Sequence, residues 1–123
     1  MSNSKIISDY MRTVFVQRDL AKVETFLGPT KTEHNPRMPN GHDGVRGFIT
    51  NAPKDLVYEQ GLIAETGDYV MVHGRYSGWE GKTMIAVDIF RLEHGKVVEH
   101  WDVMQEEVPA EKSVNGNAMF PVT

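Results

Sequence analysis

Three ionisable residues stand out because of their positions in the sequence. Asp88 interrupts an apolar run, and His100 and Asp102 flank a tryptophan farther along the chain. A carboxylate among apolar neighbours costs free energy unless it is paired or used in chemistry. Because carboxylates and imidazoles held close together can exchange protons near neutral pH, these residues indicate general acid/base chemistry.

The segment Lys82–Gln105, which carries these residues, predicts a β-hairpin. β-branched and aromatic residues fill both arms, and a glycine-containing turn at Glu93–Lys96 separates them. The hairpin is therefore the element that must position the three ionisable residues.

The length of the turn decides which side chains share a face. A two-residue turn would place Asp88 opposite Trp101 and would exclude Asp102 from its face. A three-residue turn with a bulge at Gly95 would place Asp88 opposite His100, with Asp102 on the same face. We favour the bulged register, although a shift of one residue would separate these groups.

Helices are predicted only in the N-terminal half. Apolar residues recur at helical spacing over residues 4–27, where Asp19 is expected to cap a second short helix, and Gly28–Pro29 ends it. Residues 30–40 contain two prolines and predict an irregular bend, whereas residues 42–51 predict a short helix.

The remaining pattern predicts strands at 56–65 and 69–76, joined by a tight turn, and a looser link at 77–81 into the hairpin. Four consecutive strands form an antiparallel meander, and all the helices precede them. This segregation predicts an α+β fold in which the helices cover one face of the sheet.

Composition limits the classes of function. We expect one domain over residues 1–123, with 106–123 as a C-terminal strap anchored by Phe120. The net charge of −4 and the pI of about 5.7 argue against nucleic-acid binding, and the absence of cysteine excludes thiol chemistry. No apolar stretch resembles a signal peptide or a membrane span, so we predict a cytoplasmic protein without a membrane partner.

Both faces of the predicted strand at 83–92 are apolar. Because the helices can cover only one face, the other needs a second cover. We predict a homodimer that forms through the outer sheet face.

The motifs HNPRMPNG, VDIFRLEHGKVVEHWDVMQ and NGNAMF resemble the SnoaL-like polyketide cyclase group of the nuclear transport factor 2-like (NTF2-like) superfamily. The resemblance implies a cone-shaped, strongly bent antiparallel sheet wrapped around N-terminal helices, enclosing an apolar pocket that needs no cofactor. In such cyclases an aspartate on the last strand is thought to act as acid/base in an intramolecular aldol condensation, and Asp102 matches that position. Asp88 matches a position at which antibiotic-pathway cyclases carry a histidine.

We therefore predict cofactor-free acid/base chemistry on a small-to-medium apolar carbonyl compound, by aldol condensation, cyclisation or isomerisation. Burial would raise the pKa of Asp102 and make its carboxylate a stronger base. The predicted catalytic residues are Asp102, His100, Asp88 and His34, and the predicted ligand-binding residues are Asn35, Trp79, Phe90 and Trp101.

Two other functions fit the same pattern. The chain could be a non-catalytic small-molecule-binding module in which Asp88 and His100 form a structural pair, or a protein-interaction scaffold that uses its outer sheet face. His34, His100, Asp88 and Asp102 also make a nitrogen/oxygen donor set, but no local spacing typical of a metal site supports it, so we predict no metal.

Overall fold

The computed structural model describes residues 1–123. Its helices are α1 (Asn3–Arg12), α2 (Leu20–Glu24) and α3 (Asp43–Asn51), with a π-helical turn at Thr13–Gln17 and a 3-10 turn at Ala110–Lys112. Its strands are β1 (Leu27–Glu33), β2 (Val57–Thr66), β3 (Tyr69–Trp79), β4 (Lys82–Glu93) and β5 (Lys96–Glu106).

The N-terminal helices form where the apolar spacing predicts them. The hydroxyl of Ser2 caps α1 by accepting from the amide of Lys5. The π-helical turn ends at Arg18, whose left-handed φ of 51° turns the chain. Asp19 caps α2 by accepting from the amide of Lys22, which confirms its predicted role.

The five strands form one mixed sheet in the order β1-β5-β4-β3-β2. Strand β1 runs parallel to β5, and all the other pairs are antiparallel. The register shifts within β2, β3 and β5 mark bulges, which bend strands and curve a sheet. The predicted α+β class and the curved sheet around N-terminal helices are confirmed.

The hydrophobic core lies between the helices and the inner face of this sheet. Helix α1 and the π-helical turn contribute a stripe at the i, i+3, i+4 and i+7 positions, which packs against the start of β3, the end of β4 and the start of β5. The residues that form this contact are Ile7, Tyr10, Met11, Val14, Val70, Val72, Phe90, Leu92 and Val97.

The prediction of an irregular bend from residue 30 is wrong for its first four residues. The helical region ends at Glu24, and Leu27–Glu33 pairs with β5 as a parallel strand. Pro29 fits there because β1 is an edge strand, which can lack one ladder hydrogen bond. The sheet therefore has five strands, with a parallel one beside the predicted antiparallel four.

The predicted loose link at 77–81 is also wrong. Strand β3 continues to Trp79, which pairs with Lys82 across a two-residue turn. The turn residues Glu80 and Gly81 both have positive φ, 50° and 79°, as such tight hairpin turns require.

The β4–β5 hairpin has the two-residue turn, not the favoured three-residue one. Leu92 lies opposite Val97, and the turn residues His94 and Gly95 have φ values of 51° and 74°. These values suit a primed turn, whose twist matches that of the flanking strands.

A bulge in β5 then corrects the register. The pairing shifts by one residue at Val98, so Asp88 lies opposite Asp102 and Phe90 lies opposite His100. The prediction that Asp88 opposes His100 is wrong, but Asp88, His100 and Asp102 do share the inner face. The bulge in β5 brings these three side chains onto one face, as a three-residue turn would have done.

The C-terminal segment crosses the outer sheet face. Phe120 is buried there against Gly61 and the ring of His73, and the guanidinium of Arg75 lies 4.8 Å from the centre of its ring. Farther along the same face, Val103 remains 66% exposed. The segment therefore covers only part of the outer face.

Gly74 makes room for an aromatic ring on the inner face of β3. A Cβ at Gly74 would lie 2.5 Å from the ring of Tyr58, which packs on Tyr76. We expect Gly74→Ala to lower the free energy of unfolding by about 1–3 kcal/mol. Gly47→Ala in α3 is the matched control, because a Cβ there meets nothing within 4 Å, and it should stabilise the helix by about 0.5–1 kcal/mol. Urea denaturation measures both, and equal effects would contradict the steric explanation.

Candidate active site

His100 lies between two carboxylates on the inner face of the sheet. Its Nδ1 is 2.6 Å from Oε2 of Glu33, its register partner on β1, and its Nε2 is 2.8 Å from Oδ1 of Asp88 on β4. Since carboxylates only accept hydrogen bonds, both ring nitrogens must donate, which requires the imidazolium form. Burial by itself lowers the pKa of His100, but its hydrogen bonds to Asp88 and Glu33 raise that pKa from 6.5 to about 9.

Each carboxylate beside His100 has a second donor. Nζ of Lys31 is 2.7 Å from Oε1 of Glu33, and the two side chains are 2% and 0% exposed. The hydroxyl of Tyr76 donates to Oδ2 of Asp88 at 2.7 Å. Burial raises the pKa of Glu33, but the hydrogen bonds from His100 and Lys31 outweigh it and bring that pKa to about 2. A hydrogen-bonded series thus runs from Lys31 on β1 to Tyr76 on β3.

Asp102 lies beside this hydrogen-bonded series, and its hydrogen-bond partner is an uncharged side chain. The side-chain amide of Asn35 donates to both its oxygens at 3.1 and 2.9 Å, and Oδ2 lies 3.9 Å from Nε2 of His100. Burial raises the pKa of Asp102, the hydrogen bond from Asn35 opposes that rise, and the charge of Asp88 adds to it. Asp102 is thus a carboxylate with lowered acidity and no ion-pair partner within hydrogen-bond distance.

These polar groups line one wall of a cavity between the helices and the sheet. The cavity has a volume of about 70 Å³. Because one water needs about 10–15 Å³ of such space, it admits a small molecule of roughly single-ring size without rearrangement. Apolar side chains form the other walls, among them Tyr10, Met11, Val14, Phe15, Met38, Val45, Phe48 and Met104.

An apolar cavity with a few convergent polar groups is the usual form of a small-molecule site. The family model of the SnoaL-like domain matches residues 7–100, which is most of the chain. The chain belongs to the SnoaL-like domain family. The resemblance seen in the sequence motifs is confirmed.

Solved structures share the fold of this SnoaL-like domain. A candidate ketosteroid isomerase from Kribbella flavida is 16% identical, with a TM-score of 0.73 over 85% of this chain and 78% of its own. A candidate polyketide cyclase from Acidithiobacillus ferrooxidans is 15% identical, with a TM-score of 0.70 over 84% of this chain and 88% of its own. An NTF2-like protein of unknown function from Burkholderia pseudomallei is 25% identical, with a TM-score of 0.66 over 85% of this chain and 92% of its own. No curated protein matches the chain.

No helix of the SnoaL-like domain has the length and apolar character needed to cross a bilayer.

The structure brings together three of the four predicted catalytic residues. Asp88, His100 and Asp102 all line the cavity. His34 does not: its side chain is 40% exposed on the other side of the sheet, with Nε2 2.6 Å from Oε2 of Glu99. The prediction that His34 is a catalytic residue of this cavity is wrong, because successive residues of an extended chain point to opposite faces and its neighbours Glu33 and Asn35 take the inner one.

Three of the four predicted ligand-binding residues line the cavity. Asn35 holds Asp102, Phe90 packs against the ring of His100, and Trp79 closes one side. Trp101 lies on the outer face, with its ring stacked 4.7 Å from that of His34. The prediction that Trp101 contacts a ligand in the cavity is therefore wrong.

The sequence reasoning missed Lys31, Glu33 and Tyr76. Lys31 and Glu33 were assigned to an irregular segment, and a short polar stretch beside a proline gives no sign of burial. Tyr76 was assigned to a strand, and its alternation with Gly74 and Val72 could have placed it on the inner face.

A metal would have to compete with existing hydrogen bonds. Ligand atoms of Asp88, His100 and Asp102 lie within 4.8 Å of one another. A histidine binds a metal through a neutral, unprotonated nitrogen, whereas both nitrogens of His100 donate to carboxylates here. The donor set therefore fits a proton-bearing network better than a metal centre.

The charged network should make stability depend on pH. The raised pKa of His100 contributes stability that is complete below about pH 6.5 and is lost as the pH rises through about 9. The lowered pKa of Glu33 contributes stability that is present above pH 4.5 and is lost as the pH falls through about 2. The raised pKa of Asp102 lowers the free energy of unfolding as the pH rises above 3.8, the ordinary pKa of an aspartate.

We therefore expect the free energy of unfolding to fall by up to about 3 kcal/mol between pH 6.5 and 9. Each unit by which the pKa of His100 is raised corresponds to about 1.36 kcal/mol. Urea denaturation across this range provides the measurement. The His100→Gln variant is the control and should show a flatter profile. Parallel profiles for the two proteins would contradict the assignment to His100.

Proposed function

We propose that this protein is a cofactor-free acid/base enzyme that acts on a small-to-medium apolar carbonyl compound, with Asp102 as its general base. The observation that carries the proposal is the largely buried carboxylate of Asp102, 10% exposed on the wall of an apolar cavity and 3.9 Å from the imidazolium of His100. A carboxylate with a raised pKa is a stronger base, and a nearby fixed cation can stabilise the anion that its action creates.

The reaction begins with removal of a proton from the carbon next to the substrate carbonyl. The proton moves to Asp102, the electron pair of the C–H bond forms a carbon–carbon double bond, and the π pair of the carbonyl moves onto its oxygen to give an enolate. The positive charge of His100 stabilises that oxygen electrostatically. The enolate then has two outcomes, which differ in the bond that forms next.

In an isomerisation, the enolate is conjugated with a second carbon–carbon double bond, and the protonated Asp102 returns its proton to the far carbon of that conjugated system. In an aldol condensation or cyclisation, the enolate carbon attacks a second carbonyl of the substrate, and Asp102 protonates the new alkoxide. The names of two structural neighbours, a candidate ketosteroid isomerase and a candidate polyketide cyclase, support these two reaction classes. The cavity volume of about 70 Å³ favours the smaller substrates within the class.

Proton exchange tests this proposal before the natural substrate is known. A panel of small aryl and cyclic ketones and diketones is incubated with the protein in D₂O, and NMR follows the loss of the protons next to the carbonyl. Enzyme-dependent exchange of at least one compound is the expected result. Compounds that bind without exchange would refute the enzyme and favour the alternative, a non-catalytic small-molecule-binding module.

We propose further that residues 1–123 act as one cytoplasmic domain, with 106–123 as its strap, and that the protein is a homodimer through the outer sheet face. The apolar side chains of Val87 and Ile89 on that face, together with the 66% exposed Val103, support this interface. Sedimentation equilibrium should give twice the 13.9 kDa mass of the chain. A single-chain mass at micromolar concentration would contradict the dimer.

A further inference from the structure

Beneath His100 lies a buried ion pair to which the proposed reaction assigns no role. Lys31 and Glu33 line the cavity with side chains that are 2% and 0% exposed, and Oε2 of Glu33 accepts hydrogen bonds from Nδ1 of His100 and from the backbone amide of Asn35. A buried ion pair is weak evidence for stability, because desolvation of the two charges offsets most of their attraction. The position of the pair, in the cavity wall beside His100, points instead to a role in the site.

We propose that Glu33, held in place by Lys31, is a positioning residue that locks His100 as a fixed imidazolium. In this arrangement His100 supplies constant positive charge to the cavity and does not carry a proton during the reaction. For its catalytic consequence the inference rests on the proposed function, but the charge state of His100 can be tested without turnover.

The geometry supports a fixed charge. A histidine that shuttles protons needs one nitrogen free to meet the substrate, whereas Nδ1 of His100 is 2.6 Å from Glu33 and Nε2 is 2.8 Å from Asp88. Besides Lys31 and Asp102, the other ionisable groups that line this cavity are the phenols of Tyr10 and Tyr76, and burial raises the pKa of both. Neither phenol is therefore ionised near neutral pH.

The charges around His100 also balance. The ammonium of Lys31 and the imidazolium of His100 match the carboxylates of Glu33 and Asp88, and all four side chains are less than a tenth exposed. Asp102 alone has no opposing charge within hydrogen-bond distance. Asp102 is thus the cavity group whose charge changes, and the paired charges behind it stay constant through the reaction.

This arrangement restricts the substrate class. When Asp102 is ionised the cavity carries one uncompensated negative charge, so a carboxylate or phosphate ligand would be repelled. A neutral carbonyl compound enters without this penalty, and its oxygen gains negative charge only when Asp102 takes the proton. The balanced network therefore suits a neutral substrate with an anionic intermediate.

Nitrogen-detected NMR of histidine side chains tests the proposal directly. In the wild-type protein we expect both nitrogens of His100 to remain protonated from pH 6 to pH 8. In the double variant Lys31→Met/Glu33→Gln, which removes both buried charges together, the pKa of His100 should fall by about 1–3 pH units. An unchanged pKa in the double variant, or a neutral ring in the wild type at pH 7, would overturn the proposal.

The single variant Lys31→Met is the matched control. It disturbs the same buried position but keeps Glu33, so His100 should remain doubly protonated at pH 7. If Lys31→Met lowers the pKa of His100 as much as the double variant does, the loss of Lys31 alone accounts for the effect and the assignment to the charge of Glu33 fails.

Turnover provides the second readout. With a compound that exchanges its protons, the double variant should lose about ten-fold or more in kcat with little change in KM, because an interaction made in the transition state has been weakened. Equal kcat values in the wild type and the double variant would overturn the catalytic consequence. If the wild type exchanges no compound but the NMR result holds, the proposed function fails and the charge assignment of His100 stands.

Discussion

Replacing Asp102 with asparagine should lower kcat by about 10²–10⁴-fold and leave ligand affinity nearly unchanged. The amide has almost the same shape as the carboxylate, so the cavity and the nearby Asn35 keep their places. It cannot accept a proton at neutral pH, so enolate formation loses its base. Proton exchange measured by NMR gives the rate, and isothermal titration calorimetry with the same compound gives the affinity.

Asp55→Asn is the matched control for this prediction. Asp55 is an exposed aspartate in the loop before β2, outside the cavity, and the same chemical change there should leave kcat within two-fold. Full activity in Asp102→Asn would show that another group is the base. A parallel loss of activity and affinity would assign Asp102 to ligand binding and not to proton transfer.

Replacing His100 with glutamine should lower the free energy of unfolding by about 3–5 kcal/mol at pH 7. The change leaves the carboxylates of Glu33 and Asp88 buried on either side of an uncharged residue, with Lys31 as the remaining cation. Lowering the pH to about 5 should recover part of the loss, since protonation of one carboxylate removes the repulsion. Urea denaturation at the two pH values provides the measurement.

His73→Gln is the control for the charge effect. His73 is also a partly buried strand histidine, but its Nδ1 has no hydrogen-bond partner and its ring packs against Phe120 on the outer face. Its replacement should cost about 1 kcal/mol or less, without recovery at lower pH. A similar loss in both variants, with the same pH dependence, would show that the network around His100 does not stabilise the fold.

The sequence predicts the hairpin face well because strand alternation depends only on neighbouring residues. His100 and Asp102 are correctly grouped, since residues two apart share a face, and Asp88 joins them because the bulge in β5 shifts the register by one residue. The turn and the opposite partner of Asp88 are wrong, because the bulge at Val98 depends on the pairing of β5 with two strands at once. No residue type in that segment marks a bulge.

Strand β1 could not be predicted for a related reason. It is held by pairing with β5, about seventy residues away, and its own sequence contains a glycine and a proline that favour a turn. With β1 missing, Lys31 and Glu33 were overlooked and His34 was placed in the pocket. Once β1 is a strand, the alternation assigns Glu33 and Asn35 to the inner face and His34 to the outer one.

The edge position of β1 links the site to the last stage of folding. Glu33 and Asn35 reach His100 and Asp102 across 67 residues of sequence, and β1 pairs only with β5. Contacts this distant in sequence form late, and an edge strand opens more readily than the strands beside it. A chain whose central strands are folded but whose β1 is detached keeps its core apart from Leu27, and its His100 has lost the hydrogen bond to Glu33. Mild denaturation should therefore abolish the activity of the cavity before the helices and the central strands unfold.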